Sequence, residues 1–407
     1  MSEHYDAYET QSPAAREAHL FDALPELLRQ AQRAPAWAKA LEGVDPNTVN
    51  SRTALAALPL TRKTDIMAAQ TKTPPFGGFV AQDAAIKRLF ISPGPVFVAE
   101  GYEDDPWSAA RALYAAGVRP GETVANTFGY HMTPGAFILE SGLHALKCRV
   151  IAAGAGNSAD AVTTLSALAP TVYCGVPDYL NILLDKAAAE GLSLSFNKAL
   201  VSGAALPLDL RARIEKRGVR VTQCYATADL GVIAYESSAR EGLIVNEGLI
   251  MEIVRPGTGT PVAEGEVGEI VVTRFSKTTP LIRFATGDLT AHLSGPSPCG
   301  RTNMRIKGWM GRADQRTKVK GMFVDPQQIA KVVAQHGAIA RARLVVRRAD
   351  HADAMVLLVA GPAPGTEPEI AATLKSVTNL SGAVEIVPES ALPNDGKVIA
   401  DERPVEG

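Results

Sequence analysis

Between residues 107 and 224, apolar positions recur three and four apart in WSAARALYAAG, GAFILESGLHAL, SADAVTTLSALA, PDYLNILLDKAAAEG and LPLDLRARIEKRG. That spacing lays one apolar stripe along an α-helix. Between these stretches lie ETVANTF, CRVIAA, TVYCG, KALVSG and VRVTQCY, short and in several cases rich in β-branched residues, which read as strands. Strand and helix in alternation predict repeated βα units, and so a mostly parallel sheet with helices on both faces.

The texture changes after Tyr225. GLIVNEGLIMEIV and GEVGEIVVTRF are alternating or β-branched, and the Gly and Pro of RPGTGTPVAEGE divide them, so an antiparallel section follows the parallel one. The last hundred residues reset again: PQQIAKVVAQHG and PEIAATLKSVTNL read as helices, ARLVVRRA and AMVLLVAG as a strand pair, and AVEIVP as a strand. The expected fold class is α/β: a large domain over 1–311, with parallel sheets flanked by helices plus an antiparallel β section, and a small α+β C-terminal domain over 312–407. No repeat recurs at a fixed period.

Composition narrows the setting. The chain has 407 residues, 46% hydrophobic and 21% charged, enough for a sizeable core and two domains. With Lys+Arg 41 against Asp+Glu 43, it has no global basic field to hold a nucleic-acid backbone or an anionic membrane. The N-terminus lacks the basic-then-apolar order of a signal peptide, and no apolar run approaches the roughly 18–20 residues that span a bilayer. A cytoplasmic protein is expected. Cys148, Cys174, Cys224 and Cys299 stand apart from one another and form no C-x-x-C pair, so buried reduced thiols are expected.

Four stretches carry a family resemblance. PLIRFATGDL at 280–289, GRADQRTKVKG at 311–321, SGAALPLDLRARIEKRGVRVTQCYATADLG at 202–231 and LPNDGK at 392–397 resemble, in order, the signature segments of the adenylate-forming acyl-CoA synthetases. The phenylacetate-CoA ligase branch is the nearest in pattern. LPLTRKTDI at 58–66 resembles the lead-in helix of that branch, and PCGRTNMRIKGWMGR at 298–312 its stretch before the domain junction. Any one motif is weak; the ordered set covers nearly the whole chain.

The resemblance implies a two-step reaction. A small carboxylic acid attacks the α-phosphate of ATP to give acyl-adenylate and pyrophosphate, and coenzyme A then displaces AMP after the C-terminal domain rotates. On that template Asp288 accepts hydrogen bonds from the ribose hydroxyls. Tyr225 stacks on adenine, with the Gly203, Ala204 and Ala205 backbone along the base edge. Asp229 stands at the family's glutamate position for Mg²⁺, one methylene shorter, and Thr227 lies near the phosphates. Arg312 and Asp314 match the arginine and the hinge aspartate at the domain junction, Lys320 and Gly321 the loop turned towards the CoA tunnel, and Lys397 the adenylation lysine. NTFGYHMTPGAF at 126–137 resembles an aromatic-rich pocket segment, which makes Phe128, Tyr130, His131 and Phe137 candidates to line an aryl site; packing aromatics are an equal account. Members of the branch are often homodimers, and no nucleic-acid or membrane partner is implied.

One segment departs from the pattern. RLFISPGPVFVAEGY at 88–102 aligns with the phosphate-binding loop through Arg88, Ser92, Gly94, Gly101 and Tyr102, but its T-T-G-K centre is gone and Pro93 and Pro95 intrude. Proline offers no amide, and the missing residues take away two hydroxyls and a cation. Losing two charge-assisted hydrogen bonds at roughly 1.5–3 kcal/mol each, without replacement, weakens phosphate binding or adenylation by roughly 10² to 10⁴-fold. Three readings stay open from sequence: a CoA ligase for an aromatic or arylacetic acid, with other donors compensating; an enzyme that uses a preformed adenylate or thioester, or another acyl acceptor; and a ligand-binding protein that keeps only the fold.

Overall fold

In a computed structural model of the chain, residues 3–313, 317–319, 322–349 and 352–403 are described. Asp314, Lys320 and Gly321 lie outside them. The chain parts into two compact units. One takes residues up to Met251, Val272–Phe284 and Leu293–Gly308; the other takes Glu252–Val271, Ala285–His292 and the chain from Trp309 onward. The border cuts through the strands Leu249–Val254, Gly268–Arg274 and Leu281–Thr290, so the second unit draws on more than the C-terminal stretch.

The first unit is organised by an eight-stranded sheet. Strands Arg149–Ala152, Thr123–Asn126, Val172–Gly175, Lys198–Val201 and Arg220–Thr227 pair in parallel in that spatial order. Antiparallel pairing then continues through Gly231–Tyr235, Leu243–Val245 and Arg305–Ile306. Val172–Gly175 is buried at every position, as expected of a strand covered on both faces. Helix Pro177–Ala189 opens on Pro177, whose missing N–H costs nothing at a first helical position. Helix Ser158–Leu168 is capped by the Asn157 side chain, which accepts from the Ala159 amide. Leu165, Leu180, Leu183, Val201, Ile214 and Val221 form one buried cluster with the sheet, so the βα alternation read from sequence is what builds this core.

Two short antiparallel pieces of this unit position the candidate site. Arg88–Ser92 pairs with Val96–Glu100, from Arg88 opposite Glu100 to Ser92 opposite Val96, leaving Pro93-Gly94-Pro95 as the turn. Arg220–Thr227 and Gly231–Tyr235 pair with an irregularity between Tyr225 and Ala226, and their turn carries Asp229. Helix Lys63–Lys72 begins at Lys63, where Asp65 reaches back to accept from the Arg62 amide.

In the second unit, Arg341–Ala349 and Ala352–Ala360 form a long antiparallel pair flanked by the parallel strands Ile399–Asp401 and Ala383–Ile386. Helices Pro326–Gln335 and Glu367–Thr378 supply Ile329, Val332, Ile370 and Leu374 to its core, beside Leu344, Val346, Leu357 and Val359. No helix among the described residues is long and apolar enough to cross a membrane.

Two cysteines depart from expectation. Cys174 and Cys224 are buried, but Cys148 and Cys299 are partly exposed, since each lies in a connection rather than in a core strand. All four are free thiols.

Candidate active site

The proline-bearing turn does not stand without a cation. Lys63 Nζ donates to Ser92 Oγ at 3.0 Å and to Asp229 Oδ2 at 2.8 Å, and Ser92 Oγ donates to Asp229 Oδ1 at 3.0 Å. Ser92 is 1% exposed and Asp229 9%, while the Lys63 side chain keeps 29% of its surface. Three separated pieces of chain thus converge: a helix start, a strand end and a hairpin turn. A Cβ at Gly94, whose φ is +152°, would come within 2.8 Å of Lys63 Cε and displace the lysine side chain. The Gly94–Pro95 peptide is cis.

Asp229 is held from behind as well. Arg274 Nη1 donates to the Asp229 carbonyl at 3.0 Å and Nη2 to the Pro106 carbonyl at 2.7 Å, with the guanidinium over the Trp107 ring at 4.5 Å. Burial pushes Arg274 down to about 10, against the pull of Glu103 and Asp229. Thr227 Oγ1 accepts from the Leu230 amide at 3.2 Å and so closes the same turn. Tyr225 is half-buried on the strand leading into it. Gly203, Ala204 and Ala205 are exposed, and Gly203 lies over Phe128 and Val176.

The aromatic candidates divide. Phe137 packs on Phe90 and Tyr130, with ring centroids 5.1 and 5.2 Å apart, and carries the Arg88 guanidinium over its face at 4.8 Å. Arg88 also pairs with the buried Glu100 at 2.6 Å, and Glu100 accepts from Trp107 Nε1 at 2.7 Å. Tyr130 donates to Glu140 at 2.7 Å and accepts from Asn126 Nδ2 at 3.1 Å; burial, then the Glu140 hydrogen bond and charge, raise its pKa. Phe128 turns to Gly203, and His131 is exposed. A cavity of about 30 Å³ beside Asp229, lined among others by Ile66, Phe76, Phe79 and Val96, has room for a water and not for an aryl ring.

In the second unit, Asp288 and Arg312 meet. They form an isolated antiparallel bridge, and Arg312 Nη1 lies 3.0 Å from Asp288 Oδ1. Trp309 Nε1 donates to the same oxygen at 3.0 Å. Gly287, at φ +75°, makes room for the arginine: a Cβ there would stand 2.6 Å from Arg312 Nη2. Lys397 is exposed at the end of a loop whose Gly396 packs on Leu289 and Val267, and Asn394 Oδ1 accepts from the Val267 amide at 3.0 Å. Arg343 Nε donates to the Lys397 carbonyl at 3.1 Å, and Asp395 accepts from the Lys397 amide at 3.0 Å.

The structure therefore gathers Ser92, Gly94 and Asp229 in one unit and Asp288 and Arg312 in the other. Two participants were not assigned from sequence. Lys63 stands 29 and 166 residues from its partners, and Trp309 21 residues from Asp288, distances over which no local pattern signals a contact.

Asp229 suits a Mg²⁺ ion brought in on a phosphate chain. Such an ion keeps waters and needs one or two carboxylates, and each Asp229 oxygen retains a lone pair beyond the hydrogen bond it accepts from Lys63 or Ser92. Among the described residues no group of three or more His, Cys, Asp or Glu side chains could hold a metal without a ligand's help.

Known proteins resemble this chain in sequence and in fold. The family described as AMP-binding enzyme matches residues 130–276. The phenylacetate-coenzyme A ligase of Thermus thermophilus is 30% identical over 338 residues, covering 78% of this chain and 75% of that protein. That of Pseudomonas putida is 28% identical over 347 residues, covering 81% and 77%. Among solved structures, a 2-hydroxyisobutyryl-CoA ligase in the postadenylation state with 2-HIB-AMP superposes with a TM-score of 0.72 at 25% identity, over 98% of this chain and 93% of that one. The chain belongs to the adenylate-forming AMP-binding enzymes, in the phenylacetate-CoA ligase branch of AMP-forming acid–CoA ligases.

Proposed function

We propose that this acid–CoA ligase activates an aromatic or arylacetic acid, using ATP with Mg²⁺ and then coenzyme A. A carboxylate oxygen attacks the α-phosphorus, the bond to the β-phosphate breaks, and pyrophosphate leaves; the CoA sulfur then attacks the acyl carbon and AMP departs with the electron pair. Both steps build negative charge, which fixed cations and donors stabilise at little reorganisation cost. Mg²⁺, when bound, offsets charge on the phosphates. In this reading Asp288 holds the ribose hydroxyls and Arg312 the ribose and phosphate oxygens. Tyr225 and the 203–205 backbone border the adenine, and Lys397 meets the carboxylate and α-phosphate. Asp314, Lys320 and Gly321 act in the turn of a mobile domain over 312–407. The aryl substrate is argued from the branch and from the Phe90, Tyr130 and Phe137 cluster. A cytoplasmic homodimer belongs to the same proposal.

The observation that supports the reading most is the pairing of Asp288 with Arg312, two residues that the resemblance assigns to one nucleotide and that stand 3.0 Å apart. The test is ATP–pyrophosphate exchange across aromatic and short-chain acids, with Lys397→Ala as control. Exchange that depends on an aromatic acid and drops by at least roughly 10²-fold in the variant is the expected result. No AMP or pyrophosphate from any acid would sink the reading.

A further inference from the structure

The turn that lost its own lysine is served by Lys63, from a helix the loop motif does not include. Its ammonium has three N–H donors, of which Ser92 and Asp229 take two. The third is available to an incoming anionic oxygen without breaking either bond, and the side chain is 29% exposed, so the oxygen can reach it. Asp229 balances the Lys63 charge, which keeps the ammonium in place before a nucleotide arrives. The cluster thus offers a fixed cation and a carboxylate lone pair side by side, the two things a metal-bound polyphosphate asks of a protein. Pro93 and Pro95 have no amides to give, and Gly94, lacking a Cβ, leaves the space that Lys63 Cε occupies.

We propose that Lys63 is the polyphosphate-binding cation of this protein, acting with Ser92 and Asp229 on the β- and γ-phosphates of ATP and on pyrophosphate. The proposal rests on the reading of the chain as an ATP-using ligase, and it assigns a role only at the phosphates beyond the α-position. AMP binding is therefore independent of Lys63.

Calorimetric titration of MgATP, Mg-pyrophosphate and AMP into the wild type, Lys63→Met and Lys63→Arg tests this directly. Lys63→Met is expected to weaken MgATP and pyrophosphate on the order of 10- to 10²-fold while AMP affinity stays within about 2-fold. Lys63→Arg keeps the charge and recovers part of the loss. Methionine also leaves Asp229 without its cation, so Lys63→Arg serves where the first variant does not fold: its ATP-to-AMP affinity ratio must still change, because a planar fork cannot reproduce the ammonium's geometry. An unchanged ratio in the folded variants, an equal loss of AMP and ATP, or a wild type that binds neither ATP nor pyrophosphate overturns the proposal. Lys63-dependent polyphosphate binding without acyl-CoA formation from any acid would instead leave the proposal standing and remove the ligase reading.

Discussion

Trp309 donates its indole N–H to Asp288 Oδ1 at 3.0 Å, the oxygen that also receives Arg312. The side chain that caps this carboxylate is 56% exposed, whereas Trp37 and Trp107 are buried at 1% and 0%. A ribose held by Asp288, as proposed, would compete with the indole, so nucleotide binding is expected to change the environment of Trp309 alone. Titration with AMP should shift intrinsic fluorescence in the wild type, and Trp309→Phe should abolish the response while still binding AMP. A full response in that variant would exclude Trp309 as its source.

Asp288→Asn separates binding from stability. Arg312 is half-exposed, which screens its charge, and asparagine keeps the shape of the buried Asp288 side chain, so the melting temperature should move little. The ribose contacts proposed for Asp288 would be charge-assisted, so AMP and ATP should both weaken by roughly 10²-fold. The equal loss distinguishes this variant from Lys63→Met. Calorimetry and thermal melts on the same preparation check both statements, and selective loss of ATP would contradict the ribose role.

Gly287→Ala puts a methyl group 2.6 Å from Arg312 Nη2 and a side chain at φ +75°. The backbone term alone costs about 1 kcal/mol. The arginine, being flexible, must leave Asp288, so nucleotide affinity should fall by more than the stability loss accounts for. Wild-type nucleotide affinity in a folded Gly287→Ala protein would show that Arg312 does not need its observed position.

What the sequence revealed and what it hid follow from distance along the chain. TVYCG and KALVSG were legible as strands because each is a short run bounded by turn residues, and a parallel strand buried on both faces needs little more. RLFIS and VFVAE could be aligned with a phosphate loop, and in the structure they pair as a hairpin around Pro93-Gly94-Pro95. The absence of T-T-G-K was equally plain, but its compensation was not. Lys63 sits in LPLTRKTDI, which resembles only a lead-in helix, and the folded chain alone brings it to Ser92 and Asp229. The cysteines erred in the same way: isolation in sequence suggested burial, yet Cys148 and Cys299 lie in connections.

The thiols should differ in reactivity. Burial pushes Cys148 up to about 11 and Cys224 to about 12, and Cys174 higher still. Burial would raise Cys299 too, but hydrogen bonds from Ser237, Ser297 and Arg301 outweigh it and hold the thiol below its ordinary range. At pH 8 Cys299 therefore has the largest thiolate fraction, while Cys148 stays protonated. Iodoacetamide followed by peptide mass spectrometry should label Cys299 first; earlier labelling of Cys148 would contradict the assignment.

The loop that carries Lys397 is locked by a carboxylate, and the lock has a pH sign. Burial would raise Asp395, but the Arg343 hydrogen bond, the Lys397 amide and the charges of both residues outweigh it and hold the carboxyl below the ordinary range. A group depressed on folding contributes stability above its unfolded value, about 3.9, and loses it as pH falls through the lower folded value. The lock should thus persist through neutral and mildly acidic conditions and open only below about pH 4. Carboxyl NMR of Asp395, read with protection of the Lys397 amide, reports both ends of this link. Asp395→Asn keeps the shape and removes the charge, so it should free the Lys397 amide at neutral pH and slow adenylation by roughly 10-fold with AMP affinity unchanged. Titration of Asp395 at or above the ordinary range, or unaltered adenylation in the variant, would show that Lys397 is positioned by something other than this pair.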